Sequence, residues 1–142
     1  MGQYNILDLF AGVGGLSYGF SKQPEFRILA ANEIESDIAT AYSLNHPDVK
    51  MMNCSICDIT EDMLSDVLDG QKIDIIVGGP PCQSYSTLGK RRMDARANLF
   101  LQYKRILTIL QPNAFVFENV VGILSMDKGR LFQQIQTEFA EL

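Results

Sequence analysis

The sequence predicts an α/β protein built on a doubly wound parallel sheet. Short, almost wholly apolar runs alternate along the chain with amphipathic stretches of helical length. Strands so apolar are covered on both faces, which is the condition of an open parallel sheet. Right-handed crossovers between successive strands then produce the doubly wound form.

The run YNILDLF (4–10) is the first strand and ends in a glycine loop, after which 13–22 is a helix. FRILAANE (26–33) is the second strand. Residues 36–45 form a helix that His46-Pro47 stops, because the residue before a proline is driven out of the helical region. VKMMN (49–53) is a short third strand. In ITEDMLSDVLDG, Thr60 is the N-cap, acids fill the first turn and Gly70 terminates the helix. KIDIIVGG is the fourth strand. A helix over 97–110 shows its apolar period in Leu99, Tyr103, Ile106, Leu107 and Leu110, and Pro112 closes it. NAFVFENV is the fifth strand and 129–142 the last helix. No repeat, low-complexity tract or linker divides residues 1–142, which read as one domain.

At 46% hydrophobic and 20% charged residues, the chain suits one soluble globular domain with an ordinary core. No apolar run is long enough to span a bilayer, so no membrane is expected as a partner. The opening MGQYNILDLF lacks a basic segment and carries Asp8 within its apolar stretch, which argues against a signal peptide. Ile6 stands where a myristoylation signal prefers Ser or Thr. Three cysteines, Cys54, Cys57 and Cys82, with no export signal point to a reducing cytoplasm and no disulfide framework. Cys54 and Cys57 form a C-x-x-C, but His46 is the sole histidine and no metal is expected. The net charge of −5 does not itself suggest nucleic acid. Lys90, Arg91, Arg92 and Arg96 nevertheless crowd one short segment, either an ordinary solvated loop or a phosphate-contacting patch.

Ligands of such sheets sit beyond the carboxyl ends of the strands, where the distinctive residues of this chain fall. DLFAGVGG ends strand one with Gly12, Gly14 and Gly15. Missing Cβ atoms there let the backbone turn sharply and approach a ligand, although a tight strand–helix turn alone would also explain them. Glu33 follows about twenty residues later, the offset at which a carboxylate holds ribose hydroxyls. A dinucleotide loop wants a third glycine where Ser17 stands. Asp8 would repel a pyrophosphate but attract an ammonium, so S-adenosylmethionine fits better than NAD. Asp58 either accepts a hydrogen bond from the adenine amino group or opens the next helix.

In GGPPCQSYS (78–86), two prolines fix two φ angles ahead of Cys82 and limit loop entropy, which pre-positions the sulfur. A thiol of pKa about 8.5 is only a few per cent thiolate at neutral pH, yet is a strong nucleophile. The plainer alternative is a small buried residue in a proline turn. Glu118, delivered by strand five, is either partly desolvated and able to donate a proton, or a strand-end carboxylate that caps the next helix or faces water. Adjacent strand ends would gather Cys82, Glu118 and the glycine loop around one pocket. A thiol nucleophile, a protonated carboxyl and a sulfonium methyl donor together suggest one reaction. Cysteine adds to C6 of a cytosine while Glu118 hydrogen-bonds or protonates N3, C5 takes the methyl, and loss of the C5 proton expels the thiolate. The base has to leave a duplex for this.

On these residues the chain resembles the N-terminal half of the cytosine-C5 DNA methyltransferases. DLFAGVGG is similar to their cofactor loop, NEIE to their ribose-binding acid, CDIT to their adenine-contacting aspartate, GGPPCQSYS to their nucleophile loop and ENV to their glutamate motif. The resemblance implies a Rossmann-like fold of S-adenosylmethionine-dependent methyltransferases, with S-adenosylhomocysteine as product. It assigns Cys82 as nucleophile and Glu118 as the N3-binding acid. It puts Phe10 on the adenine, Gly12 and Gly14 at the methionine end, Glu33 on the ribose, Ile34 on the adenine face and Asp58 at the adenine amino group. Ile59, Pro80 and Leu99 complete the implied cofactor set. Ser86, Lys90 and Arg96 would close over DNA, and Gln83 would enter the duplex near the vacated site. Double-stranded DNA is the implied partner, restriction–modification the implied role, and the bacterial cytoplasm or nucleoid the implied location.

The family carries more than these residues hold. The pattern is truncated after about five strands, and an arginine-bearing strand motif, a target-recognition domain and a C-terminal cofactor motif have no counterpart here. That leaves strand five as an edge. It also predicts little activity for these 142 residues alone, which are either half of a split enzyme with a complementary C-terminal methyltransferase chain as partner, a truncated product, or an excised piece. Alternatives are cytosine methylation of tRNA by the same chemistry, a non-catalytic cofactor-binding subunit of a split enzyme, and a nicotinamide dehydrogenase.

Overall fold

The computed structural model describes residues 2–81 and 99–142. Cys82, Gln83, Ser86, Lys90 and Arg96 lie outside the described residues. Strands β1 (Tyr4–Leu9), β2 (Phe26–Asn32), β3 (Lys50–Met52), β4 (Ile75–Gly78) and β5 (Ala114–Phe117) pair in parallel in the order β3-β2-β1-β4-β5. Helices α1 (Gly15–Ser21), α2 (Ser36–Asn45), α3 (Glu61–Leu68), α4 (Leu99–Leu110) and α5 (Arg130–Phe139) accompany them. The chain winds from β1 out to β3, returns to the other side of β1, and continues to β5. This is the doubly wound form the sequence predicts, with its switch point between β1 and β4.

Alternation along β1 sends side chains to opposite faces. Ile6 joins Ile28 and Val77 beneath Leu16 and Phe20 of α1. Leu7 and Leu9 enter a larger core with Leu64, Ile76, Tyr103 and Ile106 on the other face. Each such side chain contributes roughly 1.5–3 kcal/mol on full burial, so these two layers dominate the fold. Asp8 shares the face of Ile6 and is therefore aimed at α1.

Coverage of both faces fails at β5. Phe115 and Phe117 pack against Tyr103 and Phe139, with ring centroids between 5.1 and 6.3 Å apart. Val116 is in register with Val77 on the opposite face, where no described helix covers it, and it is 41% exposed.

Helix ends follow local chemistry. The Thr60 hydroxyl accepts from the Met63 N–H at 3.2 Å, as an N-cap should. Termination of α3 begins one residue before Gly70, because Asp69 already adopts φ 51°. The first helix starts at Gly15 rather than residue 13, since Gly12 and Gly14 hold positive φ. The last helix ends at Phe139. Two short 3-10 turns, Val121–Leu124 and Met126–Gly129, precede it, and no periodicity signals such short turns.

Candidate functional site

At the switch point Leu9 of β1 and Gly78 of β4 are neighbours, so the loops after both strands open into one crevice. The loop after β1 is tightly bent: Phe10, Gly12 and Gly14 have φ of 55°, 58° and 94°. Glu33 holds it there. One carboxylate oxygen accepts the Gly12 N–H at 2.9 Å and the other accepts the Glu35 N–H at 2.9 Å. The Ala11 N–H adds a bond to the Asn32 carbonyl at 2.9 Å. A backbone hydrogen bond to a charged group contributes about 1.5–3 kcal/mol, so Glu33 is a structural strap as well as a candidate ligand group.

The two glycines expected at the methionine end differ in role. A Cβ on Gly12 would meet nothing within 4 Å, so this residue borders open space. A Cβ on Gly14 would lie 2.5 Å from His46 Nε2 and 3.2 Å from Tyr42 Cδ2. Close packing against α2 thus dictates Gly14; its missing side chain makes room for His46, not for a ligand.

Phe10, Ile34, Pro81 and Leu99 form apolar walls of a small cleft, with Asn32, Glu33, Ser55 and Ile56 completing it. Ile34 is 60% exposed at its mouth. Asp58 is exposed at the end of a short 3-10 turn, Ile56–Asp58, beside the cleft. Two further expected cofactor residues lie deeper. The Ile59 side chain is 1% exposed and sealed in the core, so only its backbone faces the turn. Pro80 is buried, and its carbonyl accepts from Asn119 Nδ2 at 2.9 Å, while Pro81 is the proline that lines the cleft.

Two asparagines that the sequence reading missed tie the strand ends together. Asn32 Nδ2 donates to the carbonyls of Met52 and Cys54, each at 2.9 Å. Asn53 Nδ2 donates to the carbonyls of Glu33 and Ile34 at 2.8 and 3.1 Å. The available signal was an amide at the carboxyl end of each of two strand runs, FRILAAN and VKMMN.

Glu118 reaches the same end of the sheet. Its N–H donates to the Gly78 carbonyl at 2.9 Å, extending the β4–β5 ladder by one bond. A Cβ on Gly79 would fall 2.5 Å from Glu118 Oε2, so the carboxyl lies against the segment that runs through Pro80 and Pro81 into Cys82. Glu118 is exposed, which agrees with the reading of a strand-end carboxylate facing water rather than a desolvated one. It stands just beyond the last β5 residue, where side chains leave the covered sheet.

Asp8 does not face a ligand ammonium as the sequence suggests. It is wholly buried, and Ser17 Oγ donates to its Oδ2. Ser17 Oγ also lies 3.1 Å from the Tyr42 hydroxyl. Asp8 Oδ1 has no hydrogen-bond partner among the described residues. Burial pushes the Asp8 carboxyl up to about 7, with the Ser17 bond opposing and the Glu33 charge adding to the shift. Ser17, where a dinucleotide loop would carry glycine, is therefore an internal hydrogen-bond donor. A larger open groove of about 860 Å³ lies near the start of β5, among Leu107, Pro112 and Phe115, at the end of the sheet opposite the crevice.

Residues 4–142 match the family model described as C-5 cytosine-specific DNA methylase. Over its whole length the chain is 37% identical to DNA (cytosine-5-)-methyltransferase M.ApeKI of Aeropyrum pernix, of which it covers 34%. It is 42% identical over 87% of its length to type II methyltransferase M.AgeI of Thalassovita gelatinovora, of which it covers 29%. Its fold superposes with a TM-score of 0.81 and 28% identity on an E. coli prophage-encoded protein described as a candidate DNA modification methyltransferase. That match covers 98% of this chain and 38% of the other. The chain spans about a third of the length of the curated relatives it matches. With a family model running from the first strand to the last residue, and relatives of this identity, the chain belongs to the C-5 cytosine-specific DNA methylase family.

Proposed function

We propose that this chain is the cofactor-binding and nucleophile-bearing part of an enzyme that methylates C5 of cytosine in double-stranded DNA. The setting is bacterial restriction–modification, in the cytoplasm or nucleoid. No helix among the described residues is long and apolar enough to cross a membrane. The observation that supports the reading most is the convergence at the β1–β4 switch point. There the Glu33–Gly12 strap, an apolar cleft, and Glu118 against the approach to Cys82 meet.

The residues fit S-adenosylmethionine. The walls of Phe10, Ile34, Pro81 and Leu99 suit a flat adenine. Glu33 keeps lone pairs for ribose hydroxyls, exposed Asp58 can accept from the adenine amino group, and the open space beside Gly12 suits the methionyl end. When bound, the cofactor supplies the electrophilic methyl that C5 accepts.

The chain's own groups do the rest. The Cys82 thiolate forms a bond to C6 of a flipped cytosine, and the Glu118 carboxylic acid gives N3 a hydrogen bond or its proton. The electron pair displaced from the C5–C6 bond makes C5 nucleophilic. After methylation, a water molecule takes the C5 proton, the C–H electron pair restores the double bond as the C6–S bond breaks, the thiolate returns, and N3 gives any proton it took back to Glu118. Gln83, Ser86, Lys90 and Arg96 serve the DNA. A complementary C-terminal segment completes the site, and the 142 residues alone turn over little or no DNA.

The test is covalent capture. The chain is mixed with the C-terminal segment of a relative and S-adenosylmethionine, and offered a duplex carrying 5-fluorocytosine. A stable adduct is expected with both parts present, and none with Cys82→Ser or with either part alone. Adduct formation on tRNA instead of duplex DNA would replace the substrate, and absence of any adduct would leave a non-catalytic cofactor-binding subunit.

A further inference from the structure

We infer that Arg105 is a positioning residue for the adenine end of the cofactor cleft, acting through the segment Ile56–Ile59; the inference rests on the cofactor reading above. Arg105 stands midway along α4. Its Nη2 donates to the Ile56 carbonyl at 2.8 Å and its Nη1 to the Ile59 carbonyl at 2.9 Å. Its Nε donates to Gln102 Oε1 at 2.8 Å, which fixes the plane of the guanidinium. The two accepting carbonyls bracket Asp58.

The bracketed turn is weak on its own. A single 3-10 turn has few bonds and poor geometry. Here they are Asp58 N–H to the Ser55 carbonyl at 2.9 Å and Ile59 N–H to the Ile56 carbonyl at 3.3 Å. A rigid, planar fork suits two carbonyls better than any other side chain. Ile59 anchors the turn from the core side, and Arg105 clamps it from the helix side. Ile56 also lines the cleft, and so does Leu99 at the start of α4. One helix thus supplies one lining residue and fixes the segment that supplies another. The adjacent Lys104 is committed elsewhere, to Glu138 at 2.7 Å and Glu141 at 2.5 Å. It is the natural control.

Calorimetry on the 142-residue chain combined with the C-terminal segment of a relative, with S-adenosylhomocysteine and with S-inosylhomocysteine, tests this. The second ligand lacks the 6-amino group that Asp58 would accept from. Arg105→Met is expected to weaken S-adenosylhomocysteine about tenfold and to erase the preference for it over the inosine analogue. Arg105→Lys should recover only part of that preference, and Lys104→Met should leave it intact. Amide exchange at Asp58 and Ile59 should quicken in Arg105→Met. Unchanged preference and unchanged exchange would overturn the role of Arg105 while leaving the cofactor reading standing. A folded wild-type chain that, combined with that segment, has no affinity for S-adenosylhomocysteine would overturn both. Should Arg105→Met not fold, the same readings are made on Arg105→Lys, which keeps the charge but not the fork.

Discussion

Gly79 lies so close to Glu118 that a Cβ on it would come within 2.5 Å of Glu118 Oε2. A glycine ahead of the two prolines therefore lets a carboxyl from β5 rest on the segment leading to Cys82.

Replacing it separates placement from stability. In Gly79→Ala the obstructing atom is the end of a flexible side chain, which can swing aside. Stability should change by less than about 1 kcal/mol, while single-turnover methylation by the completed enzyme falls on the order of a hundredfold. Gly78→Ala behaves oppositely, because its Cβ would lie 2.5 Å from the Leu9 backbone carbonyl, which cannot yield. Overpacking there should cost about 2–3 kcal/mol in urea denaturation. A Gly79→Ala enzyme with full rate would show that Glu118 needs no such seat.

The cofactor-loop glycines should respond differently to alanine. Gly12→Ala adds left-handed strain of about 1–2 kcal/mol in open space. Gly14→Ala adds similar strain and a collision with His46. A double-mutant cycle with His46→Ala should show coupling on the order of 1 kcal/mol for Gly14 and none for Gly12. Equal coupling at both positions would contradict the packing described.

Glu33→Gln retains the shape but has one acceptor oxygen for two backbone N–H groups. One donor loses its partner, at about 1–3 kcal/mol. Denaturant midpoints should record that loss, and titration with S-adenosylhomocysteine should show binding weakened about tenfold or more. Wild-type stability in the variant would mean the strap carries no load.

Asp8 makes stability depend on pH. Its carboxyl sits at about 7 in the folded chain against an ordinary 3.8, chiefly through burial. The folded state binds this proton more tightly than the unfolded state. Its contribution is complete below about pH 4 and is lost as pH rises through about 7. At about 1.4 kcal/mol per pH unit, the window amounts to something on the order of 4 kcal/mol. Asp8→Asn should flatten the slope of urea midpoints between about pH 4 and 7. Ser17→Ala removes the bond opposing the shift and should carry the slope to higher pH. An unaltered slope in Asp8→Asn would assign it to other groups.

Much of this site was legible in the sequence. Apolar runs, helix periods and glycine–proline punctuation are local signals, and they located the strands and the loops after them. Glu33 and Glu118 were legible because each ends such a run. Asp8 misled because sequence shows a carboxylate near a loop but not the Ser17 and Tyr42 that face it across the layer.

By itself, the sequence determined an alternating parallel sheet, the order of its motifs, and the residue types gathered at its carboxyl ends, since each depends on neighbours within a few positions. Only the tertiary structure decided that Gly14 answers to His46 and Gly12 to open space, and that Pro81 rather than Pro80 faces the cleft. It alone showed Arg105 holding a turn 46 to 49 positions earlier in the chain. Such pairings are created by packing helices on a sheet, and no local period encodes which distant atoms that packing brings within bonding distance.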